Sequence, residues 1–167
     1  MDIQKSITVN KPIAAVWEIL GNQYTEAYRW ARELYHSEGS GAPQFSGASC
    51  SKRTCDTSFG TIHEEIRTFD PQRHILEYEV VKGFPGFIKQ GINHWELTSL
   101  SDGITKVTMH FKGETQGLLG LVMGPVLNRK LNKNLGEVLG DFKHYVETGK
   151  PSPGKVKDNQ KHARRVA

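Results

Sequence analysis

The sequence predicts an α+β domain in which a seven-stranded, curved antiparallel sheet surrounds a long C-terminal helix. Two observations support this prediction. Segments with the apolar–polar alternation of β-strands fill the middle of the chain, from about residue 33 to residue 114, and short turn signals separate them. One long segment with apolar residues at helical spacing follows, over residues 127–146. The predicted order is one strand, two helices, six strands and the long helix.

The N-terminal part is predicted to form a strand followed by two short helices. Residues 1–10 alternate between apolar and polar side chains, which is typical of a half-buried strand. Asn10-Lys11-Pro12 then favours a helix start, because Asn is a good N-cap and Pro is accepted in the first helical turn. Apolar residues at helical spacing predict a helix over residues 13–20, and a second helix is predicted over residues 24–30.

Six further strands are predicted in the middle of the chain. They cover residues 33–38, 48–55, 61–69, 74–82, 91–100 and 105–114. Residues 37–46 are rich in Gly, Ser and Pro and are expected to form a loop. Because only one long amphipathic helix is available, we expect it to cover the inner face of the sheet and to leave an internal cavity between helix and sheet.

Residues 1–149 are predicted to form one domain, and residues 150–167 a basic tail. The tail holds six basic side chains against one acidic side chain, so the net charge of +4 belongs to the tail and the domain is close to neutral. Few apolar residues occur in the tail, so we expect it to be disordered. The sequence favours a solvated tail over one that binds phosphates or lipid, and no specific nucleic-acid partner is expected.

The composition also bears on location and partners. No apolar run is long enough to cross a membrane, so stable membrane insertion is not expected. The N-terminus lacks the profile of a secretory signal, and we expect a cytoplasmic protein with reduced thiols at Cys50 and Cys55.

Leu118–Met123 is expected to roof the cavity, with transient membrane contact as the alternative. A monomer or weak dimer is expected.

Four segments of this chain resemble a known superfamily. They are Val9–Leu20 with its Pro-x-x-x-Val-Trp pattern, Gly60–Ile66 followed by Asp70, Leu76–Val80, and Leu139–Gly149. In this order and spacing they resemble the START-like or SRPBCC superfamily, which includes birch-pollen-allergen-like proteins, polyketide cyclases or dehydrases and lipid-transport domains. The resemblance covers about residues 3–149. It implies a helix-grip fold, but this fold hosts carriers, receptors and enzymes alike.

Side-chain parity predicts which residues line the cavity. They are Ile62, Glu64, Ile66, Tyr78, Val80, Trp95, Leu97, Val107, Met109 and Phe111 on the sheet, with Leu131 and Leu135 on the long helix. A hairpin centred on Pro71 would place Glu64 opposite Tyr78. Each apolar residue taken alone is better explained by ordinary core packing, and the cavity is expected because the wall as a whole has more apolar surface than one helix can cover.

The last predicted hairpin is centred near Asp102. This centre would place Trp95 opposite Met109 on the inner face, and His94 opposite His110 on the outer face. Two cross-strand histidines without a third ligand are expected to be a solvated sheet face, and no metal site is predicted.

Glu64 is the candidate that the sequence singles out, with Tyr78 as its neighbour. A carboxylate in an apolar wall is costly unless something pairs with it. It would accept a hydrogen bond from a ligand, hold a water, or act with Tyr78 as a general acid or base. The resemblance to plant hormone receptors, in which the matching glutamate lines the pocket, implies ligand contact. The alternative, which is compatible with ligand contact, is a structural ion pair with Lys52 or Arg53, and the sequence leaves open which of the two points inward.

Two loops are expected to gate the cavity. Phe59 lies in Asp56–Gly60, and Phe84 and Phe87 lie in Gly83–Phe87; both loops place aromatic rings beside glycines. An exposed Phe at a loop tip is unfavourable unless it closes over something. Ordinary hairpin turns are the alternative.

The function favoured by the sequence is binding or transport of a small hydrophobic molecule, lipid-like or polyketide-like, without a cofactor. No catalytic motif such as G-x-S-x-G, a P-loop or H-E-x-x-H occurs. The alternative is a cyclase, aromatase or dehydratase that uses Glu64 and Tyr78. A third hypothesis, an interaction module that works through the basic tail, is retained as the weakest.

Overall fold

The computed structural model describes residues 1–166 and contains seven strands and three α-helices within them. The strands are β1 Asp2–Val9, β2 Leu34–Ser40, β3 Lys52–Thr57, β4 Gly60–Asp70, β5 Ile75–Lys82, β6 Ile88–Ser101 and β7 Ile104–Thr115. The α-helices are α1 Ile13–Trp17, α2 Gly117–Thr148 and α3 Pro153–Val166. A π-helical turn, Glu18–Asn22, and a 3-10 helix, Tyr24–Arg29, follow α1.

The strands form one curved antiparallel sheet in the order β1-β7-β6-β5-β4-β3-β2. The N-terminal strand therefore pairs with the last strand, and β2 lies at the opposite edge. The second half of α2 packs on the inner face through four buried residues, which are Leu135, Leu139, Phe142 and Val146. Rings from the short N-terminal helices fill the same core; the Trp30 and Phe142 ring centroids are 4.8 Å apart. The predicted helix-grip architecture is confirmed.

The register of the β4–β5 hairpin differs from the prediction. Glu64 lies opposite Val80, and Ile66 lies opposite Tyr78. The Asp70 carboxylate accepts hydrogen bonds from the N–H groups of Gln72 and Arg73, at 3.0 and 2.9 Å, so the turn begins only after Asp70. The hairpin centre is therefore later than Pro71. Because the displacement at Glu64 is two residues, the same side chains still face inward.

The β6–β7 hairpin has the predicted register. Trp95 lies opposite Met109, and His94 lies opposite His110. The two histidines bind separate carboxylates: His94 Nδ1 is 3.0 Å from Glu77, and His110 Nε2 is 2.5 Å from Asp2. Within residues 1–166, no group of three metal-binding side chains comes together.

The expectation of a cavity roof at Leu118–Met123 was wrong, because this segment forms the first turns of α2 and its leucines are exposed. Gly120 is buried, and a Cβ there would lie 3.0 Å from Thr115 and 3.3 Å from the Phe87 carbonyl oxygen. The glycine lets the helix approach the sheet closely on that side, so the leucines turn outward. Of the helices within residues 1–166, none combines the length and the apolar character needed to cross a membrane.

Residues 153–166 were expected to be disordered, but the structure describes them as helix α3, which lies against the domain. Lys155 is completely buried, and its Nζ donates to the Leu34 carbonyl oxygen at 2.5 Å. The Asp158 carboxylate accepts from the Glu33 N–H at 2.6 Å. Polar contacts to backbone atoms, together with the stacking of the His162 ring on the Tyr35 ring, thus attach α3. Composition alone does not reveal such contacts.

A second polar group connects α3 to α2. The buried Asp141 carboxylate accepts two hydrogen bonds from Arg32, at 2.6 and 2.8 Å, and one from the Ser152 hydroxyl. Ser152 Oγ also accepts from the Lys155 N–H at 3.1 Å, which caps the start of α3. The segment between the two helices is therefore fixed at its buried end.

Attachment of α3 is expected to strengthen as the pH rises above about 8. Burial lowers the pKa of Lys155 from 10.5 to about 8. Between these values the detached helix binds more protons than the attached helix, so attachment becomes more stable with rising pH. Hydrogen exchange of the α3 amides, corrected for intrinsic rates, should show greater protection at pH 9.5 than at pH 7.5.

The matched control is Lys155→Met, which removes the titrating group. This variant should show no rise in α3 protection over the same pH range. An equal rise in the variant would assign the pH dependence to another group and contradict the prediction.

Candidate functional site

A cluster of buried polar side chains lies on the inner face of the sheet. Arg53 on β3 and Glu64 on β4 occupy directly opposite register positions, and both side chains are buried. Tyr78 reaches them from β5, and Tyr24 from the 3-10 helix. The sequence left open whether Lys52 or Arg53 points inward. Arg53 does, whereas Lys52 is exposed and pairs with Glu65 at 3.1 Å on the outer face.

The Glu64 carboxylate is bound through one of its two oxygens. Oε2 accepts from Arg53 Nε at 2.8 Å and from the Tyr24 hydroxyl at 3.2 Å, and it lies 2.6 Å from a terminal guanidinium nitrogen of Arg53. The Cys55 thiol is 3.6 Å from the same oxygen. Glu64 Oε1 accepts no hydrogen bond from residues 1–166. This second oxygen is therefore free to accept hydrogen bonds from a ligand or a water molecule.

The Arg53 guanidinium lies between two tyrosine rings. Its central carbon is 3.8 Å from the Tyr24 ring centroid and 5.2 Å from the Tyr78 ring centroid, distances at which a cation is attracted to an aromatic face. Trp95 Nε1 donates to the Tyr78 hydroxyl oxygen at 3.3 Å. The Tyr78 hydroxyl hydrogen finds no acceptor among the described residues, so Tyr78 has a free donor in the interior.

Burial and the ion pair determine which of these groups carry a charge. Burial and the nearby Glu64 carboxylate raise the pKa of Tyr78 to about 12. Burial likewise raises the pKa of Cys55 to about 12. Burial is the largest single influence on Arg53 and opposes its charge, but the Glu64 carboxylate together with Tyr24, Cys55 and Tyr78 outweighs it, so the pKa of Arg53 lies well above its ordinary value. At neutral pH the cluster therefore holds a guanidinium, a protonated phenol and a protonated thiol.

A small internal cavity lies beside this cluster. Its lining residues are Leu20, Tyr24, Ala27, Trp30, Arg53, Leu76, Tyr78 and Trp95. Its volume is about 20 Å³, which is enough for one water molecule. Pockets for drug-sized ligands usually have volumes of about 300 Å³ or more. This cavity is thus a remnant in comparison with the ligand-sized cavity that the sequence predicts, and the indole and phenol rings of Trp30, Trp95, Tyr24 and Tyr78 form much of its wall.

The structure places the predicted lining residues in the interior, but few of them reach the remnant cavity. Ten are buried: Glu64, Ile66, Tyr78, Val80, Trp95, Leu97, Val107, Met109, Phe111 and Leu135. Ile62 and Leu131 are partly buried. Only Tyr78 and Trp95 line the remnant. Arg53 and Tyr24 were not among the predicted site residues. Cys55 lies two residues after Arg53 on β3, so both side chains face the same side of the sheet. Because a free Cys is usually buried, Cys55 is the signal that would have placed Arg53 on the inner face.

The two predicted gate loops both contact the first half of α2. Phe59 is 61% exposed, and Lys130 Nζ lies 4.5 Å from its ring centroid. Phe84 and Phe87 are partly buried, and Gln116 Nε2 donates to the Gly86 carbonyl oxygen at 2.7 Å. The Gln116 N–H also donates to the Phe87 carbonyl oxygen at 2.9 Å, so two hydrogen bonds join the second loop to the start of α2, whereas the first loop meets the helix through the Lys130–Phe59 contact.

A larger cavity lies outside the predicted site, between α3, the end of α2 and the 3-10 helix. Its volume is about 510 Å³, and it is lined by Tyr28, Arg29, Tyr35, Tyr145, Gly149, Pro151, Asn159 and His162. The His162 and Tyr35 rings stack on one of its walls, with centroids 3.6 Å apart. It shares no lining residue with the interior cavity.

Solved structures with the same fold span most of this chain. The di-domain ARO/CYC BexL from the BE-7585A biosynthetic pathway superposes with a TM-score of 0.72 at 13% identity, over 88% of this chain and 46% of that one. Ara h 8.0201 gives a TM-score of 0.65 at 14% identity, over 87% of this chain and 97% of that one. A START superfamily protein from Mycobacterium smegmatis gives 0.58 at 16% identity, over 82% and 96%. At these identities the likeness concerns the fold alone.

Sequence comparison gives the family. No curated protein matches the chain significantly. The family model described as polyketide cyclase / dehydrase and lipid transport matches residues 1–147, which is the domain up to the next-to-last residue of α2. The helix-grip fold, with its sheet closed around α2, agrees with this match, and the chain belongs to the polyketide cyclase / dehydrase and lipid transport family.

Proposed function

We propose that this protein binds or transports a small hydrophobic molecule, lipid-like or polyketide-like, that carries at least one polar group. The observation that supports the proposal most is the Arg53–Glu64 pair in an otherwise apolar and aromatic interior. A buried ion pair adds little net stability compared with apolar residues of the same volume, so stability does not explain its presence. Glu64 Oε1 and the Tyr78 hydroxyl hydrogen supply one acceptor and one donor for a ligand hydroxyl or carbonyl group.

Entry of a ligand requires the interior to widen, and the first half of α2 is the part that moves in this proposal. This segment contains Gly117, Gly120, Gly124 and Pro125. In a helix interior each Gly costs about 1 kcal/mol and Pro about 3 kcal/mol relative to Ala. Its contacts with the gate loops are polar: Lys130 lies over the Phe59 ring, and Gln116 donates to the carbonyl oxygens of Gly86 and Phe87. Outward movement of this half-helix would open a path between it and the β5–β6 loop.

The alternative is a cyclase, aromatase or dehydratase that uses Glu64 and Tyr78. The geometry supports it less, because Arg53 and Tyr24 engage Glu64 Oε2 and because a phenol with a pKa of about 12 is a weak acid at neutral pH. Turnover of a polyketide substrate that Glu64→Gln abolishes without loss of binding would favour this alternative.

Native mass spectrometry of the freshly purified protein tests the binding proposal. We expect an adduct of a few hundred daltons that organic extraction releases and identifies. Tyr78→Phe removes one hydroxyl and should lower ligand affinity about fivefold to tenfold, because a neutral hydrogen bond contributes about 1 kcal/mol. The matched control, Tyr145→Phe, lies beside α3 and should bind as the wild type does.

Two results would contradict the binding proposal. One is an apo mass from several hosts, together with no binding of a fluorescent polyene fatty acid by the delipidated protein. The other is equal affinity loss in Tyr78→Phe and Tyr145→Phe, which would place the bound molecule elsewhere.

A double-mutant cycle on the ion pair separates a ligand role from a structural role. Arg53→Met and Glu64→Leu should each lower the free energy of unfolding by about 3 kcal/mol, because each leaves an unpaired buried charge. The double variant should recover most of this loss and yet retain less bound ligand. Urea denaturation measures the first effect, and native mass spectrometry measures the second.

A double variant whose loss of unfolding free energy equals the sum of the two single losses would contradict this prediction, because the single losses would then not come from leaving the partner charge unpaired. Undiminished ligand binding by a stable double variant would remove the pair as the polar anchor, while leaving the binding proposal itself intact.

A further inference from the structure

The outer face of the first half of α2 is apolar where a solvent-facing helix surface is normally polar. Leu118, Leu119, Val122 and Val126 are 85%, 57%, 70% and 62% exposed. At 100° per residue these four positions cluster on one side of the helix, roughly opposite the side that buries Leu135, Leu139 and Phe142 in the core. Packing within the domain therefore does not account for them.

Cations continue this face one turn further along the helix. Arg129, Lys130 and Lys133 are exposed and lie on the same side of α2 as the apolar group. The sequence contains no Asp or Glu between Glu114 and Glu137. Lys130 lies over the exposed ring of Phe59, so an aromatic loop tip stands beside the cations. The result is an apolar patch bordered by positive charge.

We propose that this surface docks the protein on an anionic lipid bilayer. The outer α2 face, meaning Leu118, Leu119, Val122, Val126, Arg129, Lys130 and Lys133, has the two components that peripheral membrane binding uses. The apolar side chains enter the boundary between headgroups and acyl chains, and the cations contact anionic headgroups. Docking in this way does not depend on the proposed interior ligand.

A second copy of the chain is a poorer occupant for this surface. The apolar stretch from Leu118 to Val126 is only about 12 Å long, at about 1.5 Å per residue. A stable dimer interface buries about 800 Å² on each partner, which such a short strip does not supply. Two copies paired antiparallel across this strip would also add three cations to each end of a small interface without matching carboxylates.

Flotation with lipid vesicles tests the proposal. Vesicles of phosphatidylcholine with about 30% phosphatidylglycerol should bind the full chain about tenfold or more tightly than vesicles of phosphatidylcholine alone, and salt should weaken the binding. Leu118→Ser/Val122→Ser should abolish binding to both vesicles. Lys130→Gln/Lys133→Gln should remove the preference for the anionic lipid.

Matched controls place equivalent changes elsewhere on the surface. Leu100→Ser removes an exposed leucine at the far end of β6, and Lys157→Gln/Lys161→Gln removes two exposed cations from α3. Both should bind vesicles as the wild type does. All of the variants change exposed side chains, so their unfolding midpoints should match the wild-type value and loss of binding should not reflect misfolding.

Three outcomes would overturn the inference. They are no vesicle binding by the wild type, loss of binding only in the α3 variant, and a dimer in solution that Leu118→Ser/Val122→Ser dissociates. Native mass spectrometry of the Leu118→Ser/Val122→Ser variant distinguishes a failure of membrane docking from a failure of interior ligand binding. If this variant keeps the bound ligand but does not bind vesicles, the two activities are separate. If no variant and no wild-type protein carries a bound ligand, that result counts against the interior ligand and not against membrane docking.

Discussion

The burial of one guanidinium against one carboxylate constrains the interior of this domain. Arg53 and Glu64 come from opposite positions on adjacent strands, and Tyr24 and Tyr78 enclose the guanidinium from a helix and a third strand. Loss of either Arg53 or Glu64 would leave the other charge without compensation in a medium that solvates it poorly. The pair thus holds strands β3 and β4 and the 3-10 helix in one arrangement. The apolar residues around it only need to fill the remaining volume.

Much of the sheet could be predicted from the sequence because alternation depends only on local parity. Parity placed Glu64 inside, and it stayed inside although the hairpin register was wrong, since the error at that position was two residues. The turn itself depends on the Asp70 side chain and on an irregularity between Ile66 and Thr68, which alternation does not encode. Lys52 and Arg53 are adjacent residues of the same chemical class, so parity could decide between them only with a fixed reference such as the buried Cys55.

The C-terminal third of the chain was harder to predict, for two physical reasons. An apolar residue in a helix does not reveal which side packs, and here Gly120 brings the helix to the sheet while the leucines face away. Helix α3 has few apolar residues and is attached by hydrogen bonds to particular backbone atoms of residues 33 and 34. Such bonds depend on where those atoms lie in space. The size of the interior cavity is likewise set by ring packing rather than by any sequence pattern.

Helix α3 also bears on how the sheet ends. Strand β2 is an edge strand, and the free backbone groups of an edge strand can pair with a strand from another molecule. Asp158 occupies the N–H of Glu33 and Lys155 occupies the carbonyl of Leu34, at the point where this edge begins. The helix beyond the family domain therefore covers two backbone groups where this edge begins. A chain that ended at residue 149 would keep its core and yet expose the start of an open edge to its neighbours.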